Sequence, residues 1–420
     1  MPNEYKNNHY VPIWYQKRFV PDPSSQHELH YFDLKPQQYI DSRGKAHIGN
    51  SVRKLGFKYC FAEDDLYTTN FDGTESKELE RLFFGEIDSK GRIAVDWCAH
   101  FSHPWDGTDA INDLLLYMST QKLRTPKGLA WLRDQASKLG RNDKNNVLAL
   151  MTQIRRLYGA IWMESIWLIA DASKSETKFI ISDHPVTIYN RRCGPRSQWC
   201  REYNDPDIRY HASHTLFPLS LDKILIQTNL SWARNPYQGE VGTRPNPNFF
   251  RTAIMKITEI QTLRFFSENE VRQINFIIKS RAYKYIASAQ EDWLYPERYV
   301  SKSDWHNYGY GYLCMPDPRA VVYGGQLLIG HNDGTASAFD EYGRRPWQKG
   351  FKDFKSGVDE EWYTLHRFQG EFARLFGPYR RGRAFNAIHL DNERDDDKFH
   401  KYHLELEKNT RKEKRSNTMR

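Results

Sequence analysis

Little in this chain of 420 residues points to export, a membrane or a familiar catalytic apparatus. Cysteine is scarce. The five present, Cys60, Cys98, Cys193, Cys200 and Cys314, are odd in number and widely scattered. That argues against a disulfide framework and fits a reducing compartment. No run of about 18 apolar residues occurs, so no membrane-spanning helix is expected. Met1-Pro2-Asn3-Glu4 lacks a basic segment followed by an apolar one, and a cytoplasmic location is the expectation. The chain has no Walker loop, dinucleotide fingerprint, Gly-x-Ser-x-Gly elbow or kinase signature, which sets aside the enzymes those motifs define. Charge of one sign is also thin on the ground. The formal net charge is +8, spread along the whole length, which permits a nucleic-acid partner without requiring one.

What is present is a globular composition, with 39% hydrophobic and 14% aromatic residues, and enough length for two or three domain-sized units. Alternation around His30–Leu34 and the run Phe57–Ala62 predict a small N-terminal β element. Helical spacing is expected from Glu75, then over Asp109–Lys122, Gly128–Leu139, Asn145–Ala172 and Glu268–Ala289. Between the last two lie strands at Lys178–Ser182, Thr215–Ser220 and Lys223–Thr228, with a polar loop over 190–210. The expected class is α+β: a helix-rich core with small β elements over 1–300, a mixed C-terminal module over 301–393, and a charged helix or tail over 394–420.

The chemistry-bearing residues collect where elements end, which is where sites tend to form. His9 and Tyr10 sit in an aromatic opening stretch, Gln121 and Arg124 at a proline-terminated helix end, Asp183 after an apolar strand, and Ser220 at a turn. A carboxylate beside His9 can orient its imidazole or share a divalent cation with it. Arg124 can grip phosphate through two parallel hydrogen bonds. Glu86 lies close to the apolar helix face of Leu79, Leu82, Phe83 and Ile87, and is the natural second carboxylate for a metal shared with Asp183. Each has a plainer reading: Asp183 as a turn cap, Arg124 as a ligand of its own helix's carbonyls, Glu86 as part of a solvated face.

The segments His9-Tyr10-Val11-Pro12, Gln121 with Arg124-Thr125-Pro126, Ser182-Asp183-His184-Pro185, Phe217-Pro218-Leu219-Ser220 and the Asn275 helix follow one another in an order that resembles the family catalogued as domain of unknown function 4238. The resemblance covers about residues 5–290. Members usually carry Gln after Val-Pro and Asn between the later Asp and Pro; this chain has Ile13 and His184 there. The resemblance implies a bacterial protein with a mixed, helix-rich fold. By analogy it also implies an accessory, defence- or toxin-like effector.

The leading expectation is a metal-assisted nuclease. In it His9 is base or ligand, Asp183 and Glu86 hold Mg or Mn, and Tyr10, Gln121, Arg124 and Ser220 contact substrate. Zinc ranks behind, on Cys193, Cys200, His211 and His214, as does a ββα His-metal unit using His27 or His30. Basic and aromatic residues at Lys352–Lys355, Arg380–Arg383 and Arg411–Arg415 fit phosphate contact and base stacking. The rival expectation is a non-catalytic protein that binds or senses nucleic acid or another protein.

Overall fold

The computed structural model describes residues 7–40, 44–64, 66, 69–71, 74–76, 84–102, 107–140, 144–200, 203–244, 260–321, 327–340, 344–349, 351, 358–377, 383–385 and 397–418. The fold is α+β. At its centre lies a six-stranded sheet in the order Thr187–Asn190, Ser213–Pro218, Lys223–Thr228, Ile166–Asp171, Ile260–Phe265, Arg383–Phe385. Neighbours run antiparallel except Ile166–Asp171 and Ile260–Phe265, which are parallel. A four-stranded antiparallel sheet, in the order Ile181–Ser182, Tyr285–Ser288, Glu28–Asp33, Val52–Gly56, contains the strand expected around His30.

Every residue of Ile166–Asp171 is buried, as is every residue of Ser213–Pro218. A strand covered on both faces shows a continuous apolar run without alternation. For that reason the helix expected to reach Ala172 stops earlier: a buried strand and a buried helix segment have one apolar pattern. The helix expected to end at Ala289 likewise closes at Arg281, and Tyr285–Ser288 is strand.

Among the described residues the α-helices are α1 (Ile13–Gln16), α2 (Gly85–Ala99), α3 (Thr108–Arg124), α4 (Pro126–Lys138), α5 (Lys144–Met163), α6 (Leu230–Arg234), α7 (Glu268–Arg281), α8 (Val358–Phe376) and α9 (Asp397–Thr418). The helix expected from Glu75 gives way to a hairpin of Thr69–Phe71 with Thr74–Ser76; residues 77–83 lie outside the described set. Among the described residues no helix is long and apolar enough to cross a membrane.

The turn between α3 and α4 positions the site below. Thr125 is extended (φ −68°, ψ 158°), so it ends α3, and its hydroxyl accepts from Gly128 N–H to cap α4. Pro126 occupies the first helical position, where its missing N–H costs nothing. Gly128 is required there, because a Cβ would lie 2.3 Å from the Lys122 carbonyl oxygen. Two successive helices therefore meet with their backbones nearly touching.

The opening stretch is fastened to the turn at Phe217–Ser220. Tyr15 Oη donates to Pro218 O (2.5 Å), Arg18 Nε donates to Leu219 O (2.6 Å), and Leu221 N–H donates to Arg18 O. Tyr15 also stacks on Phe217 at 5.5 Å. The boundary expected near 300 does not separate two cores. Trp305, Tyr308, Leu313 and Cys314 belong to the main apolar cluster, Arg264 donates to the carbonyls of Leu313 and Met315, and Arg383–Phe385 supplies the sheet's last strand. α8 packs Leu365, Phe368 and Phe372 into a second cluster with Ile166 and Trp232.

Candidate functional site

The residues singled out from sequence occupy two kinds of place. His9 is half-buried and its Nε2 meets Lys58 O at 3.1 Å; burial lowers its pKa, against the pull of that carbonyl. Tyr10 is buried, and its hydroxyl is pushed well above its ordinary range by burial, by Tyr31 and by the charge of Asp183. Gln121 donates to Tyr10 O (2.7 Å) and accepts from Arg124 Nε (2.8 Å) and Nη2 (2.5 Å). Arg124, 2% exposed, also grips Asp88 at 2.8 and 3.0 Å. Its guanidinium is enclosed by these protein groups, so it fastens α3 to α2 and does not face a phosphate. Ser220 accepts from Asp222 N–H in its own turn.

Asp183 accepts three backbone N–H bonds, from Tyr283 (2.8 Å), Lys284 (2.6 Å) and Tyr285 (2.8 Å). It is 1% exposed; burial pushes its carboxyl up while the three donors pull it down. Glu86 instead projects into solvent from α2, paired with Lys90 one turn on at 2.8 Å. The carboxylate pair expected for Mg or Mn is therefore not assembled. One member is sealed inside with both oxygens occupied, and the other faces water. Among the described residues no three His, Cys, Asp or Glu side chains are grouped to hold a metal ion. The zinc set falls under the same finding: buried His214 bonds Thr228 Oγ1 at 2.8 Å, and Cys200 Sγ accepts from Arg281 at 3.3 Å. Lys352, Lys355, Arg380 and Arg381 lie outside the described residues, as do the side chains of Arg383 and Arg411–Arg415.

One residue further along each of two motifs, the picture changes. Lys122 follows Gln121 and His184 follows Asp183, and both turn into a cavity of about 590 Å³ between α4, α5 and residues 198–200 and 203–209. Lys122 Nζ donates to Asp205 Oδ2 (2.7 Å), Val186 O (3.1 Å) and His184 Nε2 (3.1 Å), using all three of its protons. His184 Nδ1 stands 2.8 Å from Thr125 Oγ1. With Nε2 accepting from Lys122, the imidazole carries its proton on Nδ1 and donates to Thr125, the residue that caps α4. Burial first, then Lys122, lowers the His184 pKa to about 3, so the ring is neutral at physiological pH.

Asp205 is ionised: burial opposes this, but the ammonium groups of Lys122 and Lys127 hold its carboxyl well below the usual range. Its Oδ1 is buried and has no hydrogen-bond partner. Lys127, also on the cavity wall, donates to Arg281 O at 2.6 Å. Burial lowers its pKa to about 8, with Lys122 and Arg281 adding to the effect and Asp205 opposing it. Trp131, Tyr158, Trp199 and Tyr203 line the walls, and Lys138 and Arg209 stand in the same lining. A concave, largely apolar volume with a few convergent, perturbed polar groups is what ligand sites look like.

The residues matched by the family described as "Protein of unknown function (DUF4238)" are 7–292, which takes in the opening stretch, the motifs at Gln121 and Asp183 and the whole cavity. The chain belongs to the DUF4238 family. Comparison with curated proteins and with solved structures finds no match. Within this DUF4238 chain the motif residues Tyr10, Gln121, Arg124 and Asp183 hold the frame. Their neighbours Lys122 and His184, with Lys127 and Asp205, face the cavity. Adjacency to a motif is the signal that marks Lys122 and His184. Asp205, inside a polar loop, has no such signal.

The buried histidines set an acid limit. In the unfolded chain His184 titrates near 6.5, whereas in the fold it stays neutral down to about 3. Above pH 6.5 it contributes nothing to pH dependence. As pH falls from 6.5 towards 3 the unfolded state takes up a proton that the native state refuses, so stability drops, by at most about 1.4 kcal/mol per pH unit for this residue. His214 behaves alike, also at about 3. His184→Asn is expected to flatten the slope of melting temperature against pH in this window by about a third, leaving the shares of His214 and of His403, whose pKa burial lowers to about 4. An unchanged slope in acid melts contradicts the assignment.

Proposed function

We propose that the cavity is where this protein works, and that it takes a small anionic ligand bearing a flat ring and a hydrogen-bond donor. A nucleotide, free or at the end of a nucleic acid, is the fitting class. The observation that carries the reading is the cavity itself, whose wall carries Lys127, Asp205 and four aromatic side chains. Asp205 Oδ1 lies buried in that wall without a hydrogen-bond partner. Leaving a buried acceptor unsatisfied costs about 1–3 kcal/mol, and more for an ionised one. A rotation of the carboxylate that presents Oδ1 to the cavity lets a ligand hydroxyl or N–H supply the missing donor. Lys127, whose one hydrogen bond here goes to a backbone carbonyl, offers charge to a phosphate or carboxylate. The aromatic walls offer a face to a ring. The volume of about 590 Å³ falls within the range of small-molecule sites, about 300–1,000 Å³.

This reading keeps the nucleic-acid partner expected from sequence and moves its contact from His9 and Glu86 to Lys127 and Asp205. His184, neutral and bonded to Lys122 and Thr125, acts as the positioner of Lys122. Lys127 is the group able to move a proton near neutral pH, since its pKa of about 8 sits close to that range.

Tryptophan fluorescence with added mononucleotides and sugar phosphates tests this, because Trp131 and Trp199 line the cavity. Saturable quenching is expected in the wild type and in His9→Ala. In Asp205→Asn, with folding checked by circular dichroism, affinity is expected to fall about tenfold, equivalent to about 1.4 kcal/mol. No saturable response at millimolar ligand, or equal loss in His9→Ala and Asp205→Asn, contradicts the reading.

A further inference from the structure

We infer that the Lys127 amine is a nucleophile that forms an imine with those cavity ligands that carry an aldehyde or ketone beside a phosphate or carboxylate, such as an open-chain sugar phosphate. The inference deepens the cavity reading and rests on it. Three features of the geometry single Lys127 out from Lys122, five residues earlier.

Lys127 stands in the first turn of α4, behind the Thr125 cap and Pro126. The N-terminal end of a helix carries partial positive charge, which disfavours an ammonium ion there and favours the free amine. Lys122, by contrast, lies in the last turn of α3, where a cation is welcome.

The two lysines also differ in partners. Lys122 spends its three protons on a carboxylate, a carbonyl and an imidazole, and is fixed as a cation. Among the described residues no carboxylate lies within ion-pair distance of Lys127 Nζ, whose hydrogen bond is to the Arg281 carbonyl. It can leave that carbonyl as a neutral amine without stranding a partner charge.

Finally, Lys127 is nearly dehydrated, at 2% exposure, with Lys122 and Arg281 acting on it against Asp205 and Asp183, yet it borders the cavity. Desolvation next to another cation is how proteins turn a lysine into a nucleophile at neutral pH. The value of about 8 agrees with that placement.

The step balances without any redox partner. The lone pair of neutral Nζ attacks the carbonyl carbon, a C–N bond forms, and the carbonyl oxygen becomes the hydroxyl of a carbinolamine. Loss of that oxygen as water breaks the C–O bond, with one proton taken from solvent, and leaves a protonated imine. Amine, carbonyl and one proton give iminium and water. The anionic group of the ligand lies in a cavity whose wall carries Lys122, Lys127, Lys138 and Arg209 against Asp205 and Asp207.

Pyridoxal 5′-phosphate, which combines a ring, a phosphate and an aldehyde, is a suitable probe. The full-length protein is incubated with it, reduced with sodium borohydride, digested, and its lysines mapped by mass spectrometry. Lys127 is expected to be modified about tenfold faster than exposed Lys138, with a rate rising through a midpoint near its lowered pKa. Lys127→Met is expected to lose that label and keep the others; if it does not fold, the wild-type map alone decides. Pyridoxine 5′-phosphate, which lacks the aldehyde, separates the two levels of the claim. Asp205-dependent quenching by it without Lys127 labelling by the aldehyde overturns imine formation and leaves the cavity reading standing. Absence of both overturns both.

Discussion

Asp183→Ala is expected to destabilise the protein by about 3–6 kcal/mol, taking most of the stability of an ordinary domain, about 5–15 kcal/mol. The carboxylate serves as the shared acceptor for three consecutive backbone N–H groups, those of Tyr283, Lys284 and Tyr285. These lie where α7 ends and the strand Tyr285–Ser288 begins, so Asp183 fixes the turn that delivers that strand to Ile181–Ser182. Removing it leaves three part-buried donors without their acceptor, each costing up to about 1–3 kcal/mol. Asp183→Asn recovers only part of this, since its amide presents N–H to N–H on one side. Chemical denaturation with circular dichroism checks it. A variant that unfolds at the wild-type midpoint contradicts a structural role for Asp183 and returns it to the list of reacting groups.

The second large effect concerns Lys122→Met. Its side chain is 6% exposed and that of its partner Asp205 13% exposed, so the change leaves an ionised carboxylate in a nearly dry wall. Breaking a buried ion pair from one side costs about 3–5 kcal/mol, most of it from the charge left behind. His184 Nε2 and Val186 O lose their donor as well. Removing both charges together, in Lys122→Met with Asp205→Leu, is expected to be milder than Lys122→Met alone, giving a coupling of about 2 kcal/mol in a double-mutant cycle. Both variants are expected to lose ligand response completely. Additive costs in denaturant unfolding contradict a coupled pair.

Much of the frame was legible in the sequence because it follows local rules. Thr125-Pro126 announces the end of one helix and the start of the next, and Pro218 with Ser220 marks a turn. Alternation and apolar runs gave the strands Ser213–Pro218 and Lys223–Thr228 to within two residues. Ile166–Asp171 was not legible, because burial on both faces erases the period that separates strand from helix. Of the residues singled out from the sequence, Gln121 and Asp183 stand next to two that line the cavity. Gln121 and Asp183 stand at element ends, where a polar group satisfies backbone; the next residue, Lys122 or His184, is turned by the same element end into the cavity. Which of two neighbours faces a cavity depends on the close approach of α3 and α4 at Gly128, a tertiary fact. Asp205 needed the fold outright: its significance lies in an oxygen without a partner, and no spacing in the chain expresses that. Glu86 misled because Lys90, one turn on, holds it at the surface although apolar residues flank it.

The most direct test of the central claim is a structure of the protein with a bound mononucleotide. A ligand is expected inside the cavity between α4, α5 and residues 198–200 and 203–209, with a hydroxyl or N–H donated to Asp205 and its anionic group towards Lys127. A nucleotide seated instead against His9 and Glu86, with the cavity empty, contradicts it.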